Sequence, residues 1–138
     1  MRGYNVCHHT SDGTLLAISL CQSNIDEAKP GVDFITDRTL SQQLAIISQP
    51  KGHVIPRHVH LLSPREVKYT QETLVIVRGC LQIELYDSNK NLVESLTLGA
   101  GDIILLVSGG HGFTVLENCL IIEVKQGPFD AQHDKERF

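Results

Sequence analysis

Short apolar alternations, cut roughly every 8–12 residues by turn residues, constrain this chain more than any other feature. The clearest is CLQIELY, in which Leu81, Ile83 and Leu85 alternate with Gln82, Glu84 and Tyr86. Successive side chains of a strand point to opposite faces, so this pattern predicts a strand buried on one face only. TLVIVRG precedes it, and the two strands meet at Gly79. SQQLAIIS is closed by Pro50, Lys51 and Gly52, and HVIPRHVH follows as a further strand-like stretch. LLSPREVKYTQ breaks the period and reads as a loop. LVESLTL, IILLVSGG, GFTVL and CLIIEVK continue the series, with turns at DSNKN, GAGD and Glu117–Asn118. One helical turn is expected at NIDEA, Asn24 to Ala28, with Asn24 capping and Glu27 reaching back. No longer helix is spelled, so the expected class is all-β, a sandwich or a barrel.

The start of the chain fits the series less tidily. YNVCHHT and TLLAISL, joined at Asp12–Gly13, predict a hairpin that adds strands to the main sheet. The expected organisation is an N-terminal extension over residues 1–34, a β domain over 35–128 and a charged tail over 129–138. With 138 residues, 41% of them hydrophobic, the chain suits one domain with a real core.

A formal net charge of −4 and scattered Lys and Arg argue against nucleic acid as a partner, because binding it rests on a basic surface. No apolar run approaches the length that spans a bilayer, so no membrane role is expected. The stretch MRGYNVCHHT lacks the apolar core of an export signal. Cys7, Cys21, Cys80 and Cys119 show no close pairing, which favours free thiols and a cytoplasmic location.

His58 and His60 stand one residue apart in IPRHVH. On a strand they would share a face, roughly 6.6 Å apart along the chain, and could lean onto one ion through bonds of about 2.0–2.1 Å. A carboxylate and a third imidazole from neighbouring strands would complete such a site. Glu72 opens the next strand, and His111 follows a strand and a glycine pair in SGGHGF. The competing reading of a lone His-x-His is a solvated strand face.

At these residues the chain resembles the cupins. Their first motif is a glycine, five residues, His-x-His, a spacer, a glutamate, six residues and a glycine. It is matched by Gly52, HVIPR, His58-Val59-His60, Glu72, TLVIVR and Gly79. The spacer between His60 and Glu72 is longer than the family's. The second motif is matched by Gly101-Asp102 and Gly109. Val107 stands in place of its proline, and His111 arrives one residue early. The resemblance covers about residues 40 to 126 and is closest to small metal-binding cupins found with polysaccharide-biosynthesis genes.

The resemblance implies a cupin-type double-stranded β-helix, or jelly-roll barrel, with the N-terminal β-hairpin as an extension. It also implies one divalent metal ion held by His58, His60, Glu72 and His111. Histidine and carboxylate without thiolate suit Fe, Mn, Ni, Zn or Cu alike. A metal-dependent enzyme acting on a small carbohydrate-derived molecule is expected, as an isomerase or epimerase or as a dioxygenase. The alternative is a binding or sensing protein that keeps the ion without catalysis. Glu66 is the rival carboxylate because it lies nearer His60; Glu72 is preferred because a strand positions a ligand better than a loop.

Around that site, Arg78, Lys125 and Tyr86 are the candidate substrate-binding residues. Lys125, Tyr86, Tyr69 and Glu123 are candidate bases, with none assigned. With only 5% aromatic residues, the pocket is expected to be lined by Leu74, Ile76 and Ile104. Cys7–His9 looks metal-like, but terminal clusters are generally solvated. His53 and Glu84 are read as surface groups. A homodimer formed through edge strands is expected, with the N-terminal hairpin as the candidate surface.

Overall fold

The structure, a computed structural model, describes residues 5–138. Tyr4, the first residue of the expected hairpin strand, lies outside them. The described chain is all-β, and every strand pairing in it is antiparallel. Its strands are β1 (Asn5–His9), β2 (Leu15–Leu20), β3 (Gly31–Phe34), β4 (Ala45–Ser48), β5 (Glu72–Arg78), β6 (Cys80–Tyr86), β7 (Leu92–Gly99), β8 (Ile103–Leu106), β9 (Gly110–Val115) and β10 (Leu120–Lys125). A five-stranded sheet runs β1-β2-β8-β5-β10, a three-stranded sheet runs β7-β6-β9, and β3 pairs β4 separately. Among the described residues, no helix is long and apolar enough to cross a membrane.

The alternation in β6 is realised as the pleat demands. Leu81, Ile83 and Leu85 are buried, while Gln82, Glu84 and Tyr86 are only half-buried. They pack in one cluster with Leu16 and Ala17 of β2, Leu74 and Ile76 of β5, Leu98 of β7, and Ile104 and Leu106 of β8, so the core joins both larger sheets. The central strand β8 is apolar on both faces, as a strand covered on both sides should be.

The turn between β5 and β6 is set by Gly79, whose φ is +87°. A Cβ there would run into the carbonyl oxygen of Asn118 and stand 2.8 Å from Cys119 Cα, so the chain segments can cross only at a glycine. Asp102 ties the other end of the sheet. Its Oδ2 accepts the backbone N–H of Gly99 at 2.8 Å, and its Oδ1 accepts that of Gln22 at 2.8 Å.

That second bond explains a correction. The helical turn α1 covers Gln22–Ile25 rather than residues 24–28, with Cys21 at its N-cap and no side-chain capping bond. A carboxylate distant in sequence takes the first amide, and Asn24, the expected cap, lies inside the turn.

A second correction concerns HVIPRHVH, which forms no strand. Residues 49–70 pair with nothing in a sheet and are exposed throughout, Leu62 completely so. Local bonds replace a ladder: the His53 amide donates to the Pro50 carbonyl at 3.1 Å, and Pro56 brings no amide hydrogen of its own.

Candidate functional site

Three chemically active side chains converge where β5 begins, β10 ends and β9 starts. Glu72 is the first residue of β5, and its register partners are Leu106 on β8 and Lys125 on β10. His111 is the second residue of β9, opposite Leu85, which gives it the core-facing side of the three-stranded sheet. Its Nε2 lies 3.2 Å from Glu72 Oε2, and Lys125 Nζ lies 3.7 Å from Glu72 Oε1. Glu72 is buried, whereas His111 remains open to solvent. The hydrogen bond with His111 pulls the Glu72 carboxyl below its usual range, with help from the charges of His111, Lys125 and Lys135 and against the opposing effect of burial.

His58 and His60 are held elsewhere. Both are exposed in the unpaired segment, their rings edge-on with centroids 5.4 Å apart. His58 Nδ1 is 2.9 Å from the Pro56 carbonyl oxygen. A carbonyl only accepts, so Nδ1 carries the hydrogen and the Nε2 lone pair of the neutral ring is left free. The structure therefore brings Glu72 to His111 and His58 to His60, but it does not gather the two pairs into one set. Among the described residues, no group of three or more His, Cys, Asp or Glu is placed to hold a metal ion. Glu66, the rival carboxylate, lies in the same exposed segment.

The other candidates separate clearly. Arg78 is at the opposite end of β5, about 20 Å from Glu72 at the rise of a strand, and is not brought to the group. Tyr86 sits on the outer face of β6. Its hydroxyl donates to Glu84 Oε2 at 2.7 Å, which raises the phenol above its ordinary pKa, and its ring meets Phe138 edge-on at 5.2 Å. Tyr69 and Glu123 are exposed, so Lys125 is the one candidate base that touches the group. Leu74, Ile76 and Ile104 fill the core rather than line a pocket.

Two features went unread in the sequence. His8 was expected to be solvated with Cys7 and His9, yet it is only 6% exposed. Its Nδ1 meets Glu94 Oε2 at 2.7 Å, and its Nε2 meets Ser19 Oγ at 2.8 Å. Strand parity was the available signal, because His8 pairs opposite the inward-facing Ala17. The second is Lys135, whose charge reaches Glu72 from the C-terminal tail; nothing local in the sequence marks it.

No family model, curated protein or solved structure matches this chain.

Proposed function

We propose that the protein is a cupin-type jelly-roll metalloprotein that binds one divalent ion through Glu72, His111, His58 and His60 and acts on a small carbohydrate-derived molecule. The observation that carries this reading is the 3.2 Å approach of His111 Nε2 to Glu72 Oε2, from strands far apart in sequence. Two donors at right angles on an ion with ~2.1 Å bonds stand ~3.0 Å apart, so the pair already has the bite of neighbouring ligands. The free Nε2 of His58 offers a lone pair that a metal can take while Nδ1 is held by the Pro56 carbonyl.

Two further features support closure of the unpaired segment. His60 precedes Glu72 by twelve residues, a tether of about 40 Å when extended, so it can reach the pair. Strand β9, which carries His111, ends its sheet with one edge unpaired, where an added strand can dock. Binding of the ion and ordering of the segment are then one event. The ion would supply Lewis-acid polarisation of a carbonyl or hydroxyl, or a seat for dioxygen. Glu72 and His111 would hold the ion in place, and Lys125, 3.7 Å from Glu72, would be placed to move a proton at the edge of the same group. The runner-up, a binding protein that keeps the ion without turnover, is favoured by the positions of Tyr86, Tyr69 and Glu123, which leave a single candidate base in contact.

The test is metal stoichiometry and calorimetry on protein freed of metal and titrated with Mn, Fe, Ni, Zn and Cu. One ion per chain is expected, with affinity falling at least about tenfold in His58→Ala, His60→Ala and His111→Ala. Equal affinity in His58→Ala and the parent protein would remove the unpaired segment from the site. We also infer a homodimer. Its expected surface moves from the N-terminal hairpin to the edge strand β10, where Leu120, Ile122 and Val124 are exposed; light scattering should return twice the chain mass.

A further inference from the structure

The two larger sheets each end in a free edge beside Glu72, β9 in one and β10 in the other. Along β9, His111, Phe113 and Val115 pair opposite Leu85, Ile83 and Leu81, which places them on the inner face of the sheet. Their partners are buried, yet Phe113 is 44% exposed and Val115 59%. On β10, Glu123 pairs opposite the buried Leu74 and is exposed in the same way. The sandwich is therefore open along a seam between β9 and β10. The C-terminal tail ends on the other side of the sheet. Phe138 packs edge-on against Tyr86, and a Cβ on Gly110 would stand 2.9 Å from its ring. Glu136 Oε1 fixes the tail at Lys90 Nζ, 2.9 Å away.

The segment between β4 and β5 has the complementary surface. Its Val54, Ile55, Val59, Leu61, Leu62 and Tyr69 are between 57% and 100% exposed. Together they present on the order of 700 Å² of surface, close to what each partner contributes to a stable interface. Both stems of the segment are fixed. Ser48 pairs with Gly31 in the β3–β4 ladder. Gln71 is buried, its amide donates to Gln126 Oε1 at 2.7 Å, and its own Oε1 accepts the Gln42 amide at 2.9 Å. The segment thus projects as an arm that leaves the seam of its own chain uncovered. Charge completes the match. The arm carries Lys51, Arg57, Arg65 and Lys68 against the single carboxylate Glu66, a net +3 in a chain of net −4, so the rest of the chain carries −7. Glu123 and Glu117 stand exposed on the seam itself.

We propose that two copies of this chain exchange their arms, each arm docking in the seam of the other copy, so that His58 and His60 of one chain serve Glu72 and His111 of its partner. The exchange is reciprocal, as a two-fold dimer requires, and it covers both arms and both seams at once. It leaves the stems at Ser48 and Gln71 as they are. The proposal rests on the reading that these four residues share one ion, and it changes which chain supplies two of them. A basic, apolar arm also suits an anionic membrane, but a membrane would leave Phe113 and Val115 in water.

The first experiment uses the full chain in chelator, so it decides the exchange whether or not an ion binds. Light scattering should return a dimer. Leu61→Ser with Leu62→Ser should raise its dissociation constant at least about tenfold, whereas Val6→Ser on the N-terminal hairpin should leave it unchanged. The arm is exposed, so these substitutions spare the core, and circular dichroism checks this. The second experiment titrates zinc into two variants, one with His58→Ala and His60→Ala, the other with Glu72→Gln and His111→Ala. Each alone should lack the tight site, and their mixture should regain it, because a mixed dimer joins one intact arm to one intact seam. A monomeric parent protein that instead sediments with phosphatidylserine vesicles would give the arm to a membrane and overturn the proposal. A dimer that survives Leu61→Ser with Leu62→Ser, or a parent that binds zinc while the mixture regains nothing, overturns it equally.

Discussion

His8 Nδ1 stands 2.7 Å from Glu94 Oε2, and this contact clasps the N-terminal hairpin of one sheet to β7 of the other. The ring is buried and its second nitrogen meets Ser19, so both polar ends are satisfied. Such a group stabilises only while its partners remain.

His8→Ala leaves a void beside Ala17 and returns Glu94 to water. The expected loss is about 1–3 kcal/mol, as for other buried side chains hydrogen-bonded to a charged group. Glu94→Gln keeps an acceptor at the same distance and should lose less. Urea denaturation followed by circular dichroism reads both, and a midpoint unchanged in His8→Ala would show that the contact adds nothing to stability.

Gly79 and Gly13 share a φ of +87° but not their surroundings. Nothing lies within 4 Å of a Cβ built on Gly13, whereas one on Gly79 meets the Asn118 carbonyl and Cys119 Cα. Alanine at Gly13 should therefore cost only the left-handed backbone, about 1–2 kcal/mol. Alanine at Gly79 adds a backbone clash that no side chain can relieve, so a larger drop in thermal midpoint is expected. Equal drops would mean that the β5–β6 crossing adjusts freely.

Which parts of this fold could be read in advance follows from the range of the forces that set them. The β6 alternation and the apolar run of β8 were legible because burial on one face or two is written locally, residue by residue. Alternation tells a strand which way its side chains face but not whether a partner exists. HVIPRHVH accordingly has a strand's pattern and no ladder. The carboxylate of Asp102 looked like a motif marker, yet it sets the start of α1 through an amide far away in sequence. The meeting of Glu72 with His111 could be anticipated only from the motif resemblance, which puts both in one site. The arrival of Lys135 could not, because it depends on where the tail crosses the sheet end.

The tail's anchorage carries a pH dependence whose sign is fixed by Glu136. The hydrogen bond and charge of Lys90 hold this carboxyl below its ordinary value of 4.5. A depressed carboxyl favours the docked state above the ordinary value, and that contribution is lost as pH falls through the lowered one. Both partners are exposed, so the effect on global stability is small, and the readout must be local. Following the ring signals of Phe138 and Tyr86 from pH 7 downward, their mutual shielding should hold above the ordinary carboxyl value and fade below it. In Lys90→Met the carboxyl has no cation to bind, so the shielding should be weaker already at neutral pH and should show no fading linked to Glu136. Shielding that persists unchanged through acid in the parent protein would mean that Phe138 is held by its packing on Tyr86 and Gly110 alone.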